Sequence, residues 1–365
     1  MKENVERAEL RVERSNSQLL RWGFGVLAAL FVPLIANAYQ VDVLTTSLLY
    51  AILALGLNLI VGLTGLLHLG YAAFFAIGAY TYALLNLHWG WPFWLGLIPA
   101  SVAGGLCAAG LGAPALRVRG DYLAIVTLGF GEIVRIVFTN LERWTGGPNG
   151  LLGIAHPSLW IPGRGVADFG VSSAPYYYLV ALAAAGVAAV CLRLSRSRVG
   201  RAWVAIREDE LAAACMGIPV LQLKLVAQGC GGAVAGVAGA IFAAKQGTIT
   251  PDSFDFILSV MVLAMVVLGG LGSVHGAIVG AMVLGTLPEL LRGFDQYRML
   301  VFGLAMVLLM RLRPQGLFGG AQRRSGLGGV GSGQLPPRPA VRGSRGGEAP
   351  LARFVREPGR ANPEP

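Results

Sequence analysis

The chain has 365 residues, 55% of them hydrophobic and 13% charged, with a formal net charge of +10 and a mean hydropathy of +0.63. Soluble domains carry about 25% charged residues, so a chain with half that share cannot cover a water-facing surface, and a soluble enzyme is excluded. Its 52 glycines show no collagen-like period and instead lie within apolar runs, the composition of helices packed backbone to backbone in lipid.

Taken in chain order, runs long and apolar enough to cross a bilayer are expected at 20–38, 44–62, 67–87, 93–116, 122–141, 176–194, 220–244, 256–271, 277–291 and 297–312. That predicts an all-α polytopic membrane protein of about ten transmembrane helices. It divides into a cytoplasmic N-terminal segment (1–21), a transmembrane domain (22–312) and a basic tail (313–365). The segment Leu34-Ile-Ala-Asn-Ala38 ends in an A-x-A pattern that a signal peptidase could read. The long, mixed-charge region before it favours retention as an anchor.

The basic residues test the orientation. With the N-terminus in the cytoplasm, Lys2, Arg7, Arg11, Arg14, Arg21, Arg117, Arg119, the five arginines between 193 and 207, and the tail arginines all fall inside. Outside fall only Arg143, Arg164, Lys245, Arg292 and Arg298. This is the positive-inside pattern. It places both termini in the cytoplasm and builds no continuous basic face, so nucleic acid is not indicated as a partner. The tail is Gly-, Pro-, Arg- and Ser-rich and is expected to be disordered. The outer loop 142–174, rich in Gly, Pro and Trp, is expected to pack on the bundle.

Enzymatic chemistry finds no foothold. There is no GxxxxGK[ST] phosphate loop and no GxSxG elbow. Cys107, Cys191, Cys215 and Cys230 are scattered without a CxxC, and the four histidines lack metal-ligand spacing. No metal and no cofactor are expected.

The largest inner loop, 194–219, is too regular for a connector. No Gly or Pro interrupts residues 201–216, and Gly217 with Pro219 supplies a stop signal. A single short helix is therefore expected between Gly200 and Gly217, with Trp203, Ile206 and Leu211 on one apolar face and small alanines at 212–214. Such a surface suits docking by a separate motor protein. A helix resting on the membrane or on its own bundle is the alternative.

The stretch from Gly200 through Arg207-Glu-Asp-Glu210 to Gly217-Ile218 resembles the ATPase-docking loop of the branched-chain amino acid ABC transporter permeases of the LivM type. The runs 119–135, 145–150, 50–65, 74–80 and 267–281 resemble that family in the same order. The resemblance implies an ABC importer permease fold and a half-transporter. Its partners would be a second, paralogous permease subunit in a heterodimer, two ABC ATPase subunits and a periplasmic or extracellular solute-binding protein, all assembled in the prokaryotic inner membrane. It further implies ATPase docking at Gly200, Arg201, Ala205, Arg207, Glu208, Asp209, Glu210, Ala213 and Gly217. Where the family commonly carries Gln, Ser and His, this chain has Leu66, His68 and Tyr71, which bears on the choice of solute.

The candidate translocation pathway comprises Asp121, Tyr122, Thr127, Glu132, Arg135, Thr145, Gly146, Gly147 and Asn149. Glu132 and Arg135 are three apart on one helical face, and charges at membrane depth face a partner or water. They form either a structural ion pair or a solute contact. Thr145-Gly-Gly-Pro-Asn-Gly150 forms either the lining of the outer mouth or a tight turn. The leading expectation is an importer permease for branched-chain or related amino acids. A permease for urea or short amides in the same family, or an ion-coupled secondary transporter, is the alternative.

Overall fold

The computed structural model describes residues 36–115, 121–161, 165–169 and 173–290, with isolated positions at 33, 303, 304, 307, 311, 316 and 317. The expected spans 20–38 and 297–312 and the tail 313–365 lie outside the described residues apart from those positions and residues 36–38. The main helices are α1 (Ala38–Leu57, continued by a π turn, Asn58–Gly62), α2 (Tyr71–Trp89), α3 (Phe93–Ala115), α4 (Asp121–Asn140) and a single-turn α5 (Glu142–Thr145). They continue as α6 (Ser173–Arg196), α7 (Arg198–Glu208), α8 (Glu210–Cys215), α9 (Val220–Gln246), α10 (Phe256–Gly269) and α11 (Val274–Leu290). Among the described residues, six helical segments are long and apolar enough to cross a membrane: Ala38–Gly62, Phe93–Pro114, Tyr122–Asn140, Ala174–Arg196, Val220–Gln246 and Pro251–Gly269. A shorter apolar helix covers Val274–Glu289, and α2 adds a long helix that carries more polar side chains.

The span expected from residue 44 begins at Ala38, because Asn37 caps the helix with Gln40 in a capping box. Asp42, a deterrent to membrane burial when read alone, pairs with Lys245 at 2.9 Å. That lysine also donates to Thr46 Oγ1 at 3.0 Å. The span expected at 67–87 starts only at Tyr71, after a non-helical passage over residues 65–70. Irregular backbone is tolerated in a membrane protein where the protein itself supplies partners. Here Leu69 N donates to Thr127 Oγ1 at 3.1 Å and Ala72 N to Ser259 Oγ at 2.9 Å.

Helices α1 and α9 form the centre. Most of α1 is buried, whereas α3, α4 and α6 leave most of their surface uncovered. The contact of α9 with α3 and α2 is a glycine seam. A Cβ on Gly236 would strike the Ala100 carbonyl, one on Gly78 the Gly236 backbone, and one on Gly104 the Gly232 carbonyl. With no side chains between them the backbones approach closely, the device that replaces hydrophobic driving force between helices in lipid. A second seam, between Gly269, Gly276 and Gly280, joins α10 to α11.

Among the described residues, the predominantly helical fold carries two small β ribbons at one end of the bundle. The pair β1 (Leu151–Leu152) and β4 (Thr248–Ile249) is antiparallel, as is β2 (Ser158–Ile161) with β3 (Gly165–Asp168). The loop that carries β1 to β3 is tied to the bundle by hydrogen bonds. Tyr82 Oη donates to Ala155 O at 3.0 Å, Trp94 Nε1 to Ser158 O at 3.1 Å, and Ala155 N to Asn86 Oδ1 at 2.8 Å.

Candidate functional site

At the opposite end of the bundle, residues 197–219 form a bent helical pair and not the single helix expected. The reason is Asp209. Its backbone is extended, and its carboxylate accepts from Leu211 N and Ala212 N, each at 2.9 Å. An aspartate that caps a new helix competes with continuation of the old one. Gly200 does not bracket the helix but lies within α7, its amide donating to the N-cap Ser197 Oγ at 3.2 Å.

The pair is anchored on one side and open on the other. Trp203 is completely buried and donates through Nε1 to Leu223 O at 2.8 Å, while Ile206 and Ala213 are buried beside it. Glu210 reaches Lys224 on α9 at 2.7 Å. Leu211 does not join the apolar face expected for it: it is 75% exposed, and Met216 is 83% exposed. With the exposed Ala212, Ala214 and Cys215 they form an apolar surface, to which the sequence-based reading assigns the alanines but not Cys215 or Met216. Arg201, Glu208 and Asp209 are also on the open side. Ala205 is partly buried, and Gly200 is buried and Gly217, at φ +81°, forms the exposed turn after α8.

Along α4, Arg135 Nε donates to Glu132 Oε1 at 2.9 Å, with Nη2 on the same oxygen, and Nη1 donates to Asp252 Oδ1 at 3.2 Å. The expected pair is thus the centre of a triad whose third member, Asp252, comes from the turn before α10. Asp252 lies 117 residues away in a short polar loop, and no sequence spacing points to it. All three side chains are partly or largely open. Tyr122, Ile125 and Ile133 on the same helix are also exposed, and Asp121 begins it.

Other expected pathway residues face inward. Thr127 is buried, donating to Ala124 O at 2.9 Å while it accepts from Leu69 N. Thr145 is buried and donates to Phe138 O at 2.6 Å and to Leu141 O at 2.9 Å. Gly146 (φ +72°) and Gly147 (φ +61°) turn the chain in a left-handed conformation that a side chain would strain, and a Cβ on Gly146 would strike the Gly150 carbonyl. Asn149 alone of this turn's expected residues is exposed.

Asn58 and His68 are among the buried polar side chains that were not expected site residues. Asn58 accepts from Gly272 N at 2.8 Å through Oδ1. His68 is enclosed beside Tyr71 and Phe74 in the passage before α2. A lone polar residue within an apolar run is the signal that marks Asn58.

The fold and these contacts can be set beside known proteins. Residues 39–310 match the model of a family described as branched-chain amino acid transport system / permease component. The chain belongs to this family. It is a polytopic membrane permease and not an enzyme. It is 47% identical over 302 residues to the high-affinity branched-chain amino acid transport system permease protein LivM of Salmonella typhimurium, covering 78% of this chain and 71% of that one. The identity and coverage are the same for LivM of Escherichia coli K12. The permease is also 24% identical over 290 residues to LivH of Escherichia coli K12, covering 74% of this chain and 91% of that one. No solved structure matches the permease significantly.

Proposed function

We propose that this permease is the LivM-type subunit of an ABC importer that carries branched-chain or related amino acids across the inner membrane. The 47% identity to proteins named as high-affinity branched-chain amino acid permeases, over most of the chain, carries the reading. The absence of a phosphate-loop motif from the sequence fits a permease whose conformational work is supplied by separate ATPase subunits. A motor shifts inward- and outward-facing states only through contacts that differ between them.

In this reading the end bearing α7 and α8 is cytoplasmic and the β ribbons face outward, as the basic residues indicate. The docking surface centres on Leu211, Met216, Arg201, Glu208 and Asp209, where an apolar centre with a charged rim would meet one of the two ATPase subunits. The second permease is a paralogue of LivH type, and a binding protein delivers solute to the outer end. The solute pathway follows the Glu132–Arg135–Asp252 side of α4. Charges left open at membrane depth are costly against lipid, so this face turns toward the second subunit and a hydrated passage.

The test is reconstitution of the chain with its second permease, ATPase subunits and binding protein in proteoliposomes. ATP-dependent uptake of radiolabelled leucine is expected. Uptake by this chain alone along a proton or sodium gradient would overturn the reading.

A further inference from the structure

Arg207 lies on the docking loop and is exposed, yet its guanidinium reaches back to the end of α1. Its Nη1 donates to Gly62 O at 2.5 Å, and its aliphatic stem lies against Gly65, where a Cβ would come within 3.2 Å of Arg207 Cγ. Gly62 closes the π turn of α1. In a continued helix its carbonyl would accept from Leu66, but the helix has ended by then. Such terminal carbonyls need an outside donor, and the negative end of a helix favours a cation there. Arg207 meets both demands from a different segment of the chain.

The same turn is held from a second direction. Asn58 Oδ1 accepts from Gly272 N at 2.8 Å, in the bend between α10 and α11. A Cβ on Gly62 would occupy the space of both the Asn58 amide and Gly272 N, so the turn is closed tightly on the bend. The other anchors of the docking loop, Trp203 to Leu223 and Glu210 to Lys224, reach the start of α9 instead. The loop therefore bridges α9 and α1, with Arg207 hydrogen-bonded to α1. π turns recur at functional sites because they release backbone groups from the helical ladder.

We propose that the π turn Asn58–Gly62 receives movement of the docking loop through Arg207 and passes it through Asn58 to the α10–α11 bend. Arg207 and Asn58 are positioning residues that couple ATP hydrolysis to opening of the pathway. This rests on the ATPase-driven reading above.

The test compares leucine transported per ATP hydrolysed in the reconstituted complex for wild type, Arg207→Lys, Arg207→Ala and Asn58→Leu. Removing a charge-assisted hydrogen bond costs enough to change an equilibrium about tenfold or more. A fall of that order in the ratio is expected for Arg207→Ala and Asn58→Leu, and for Asn58→Leu, which lies off the docking loop, ATP hydrolysis and retention of both ATPase subunits are expected to be preserved. Arg207→Lys, which keeps the charge but loses the planar fork, is expected to fall about threefold. Should Arg207→Ala fail to assemble, Asn58→Leu decides, since it leaves the docking loop untouched; Arg207→Lys is the mildest of the three. Ratios within about twofold of wild type in the assembled variants overturn the inference while the permease reading stands. A wild-type complex that shows no ATP-dependent uptake overturns both.

Discussion

The ammonium of Lys224, buried on the first turns of α9, meets the carboxylate of the exposed Glu210 at 2.7 Å. One end of this pair is fixed in the bundle and the other belongs to the docking loop. Breaking a pair by removing one partner strands a buried charge, whereas replacing the buried member by an apolar residue removes the problem. Glu210→Ala is therefore expected to lower stability by about 1 kcal/mol or more, and Lys224→Met to cost less. Thermal unfolding of the detergent-solubilised protein checks the order, and a larger loss for Lys224→Met contradicts it.

Trp203 is the apolar anchor of the same loop. Trp203→Ala removes a fully buried indole and should cost about 3–5 kcal/mol, expressed locally as detachment of α7 from α9. Trp203→Phe keeps most of the burial and loses only the bond to Leu223 O, about 1 kcal/mol. Limited proteolysis between residues 197 and 219 should rise steeply for the alanine variant and slightly for phenylalanine.

The glycine seam sets a steric test. Gly236→Val places atoms on the Ala100 backbone, which cannot rotate aside, and overpacking of this kind costs about 1–3 kcal/mol. Gly110→Val lies on α3 with nothing within 4 Å of its would-be Cβ and is expected to be tolerated. Monodispersity on size-exclusion chromatography after heating distinguishes them.

Glu132, Arg135 and Asp252 should behave as one unit. Arg135→Gln leaves two carboxylates facing each other without their cation, and Glu132→Gln leaves Arg135 with Asp252 alone. The double variant should lose less leucine uptake than the sum of the single losses, since neighbours in one network are not additive. Strict additivity in uptake by the reconstituted complex would show that the pair does not act together.

Leu211 and Met216 offer an apolar surface to a partner. Leu211→Asp with Met216→Asp should abolish co-purification of the ATPase subunits without changing thermal stability, because neither side chain is buried in the chain itself. Retention of the ATPases would place docking elsewhere on the loop.

The legible parts of this protein were those encoded by local chemistry. The membrane class follows from scarce charge, most helices follow from apolar runs, and the Glu132–Arg135 pair follows from a three-residue spacing on one face. The π turn, the late start of α2 and the bend at Asp209 were illegible for a common reason: each depends on a hydrogen bond whose partner, or whose competition with the helix, cannot be weighed from apolar periodicity.

The sequence by itself determined that the chain lives in lipid and, for most of the described helices, which segments are apolar enough to cross it. Only the tertiary structure decided what the polar residues do. Asp42 is acceptable in a membrane helix because Lys245 arrives from 203 residues away to neutralise it, and the seam between α3 and α9 depends on which glycines meet. Arg207 belongs to the docking loop by sequence and to the end of α1 by contact. Periodicity reports which side of a helix avoids water, but burying a charge or a bare carbonyl is feasible only when a specific distant partner is in place.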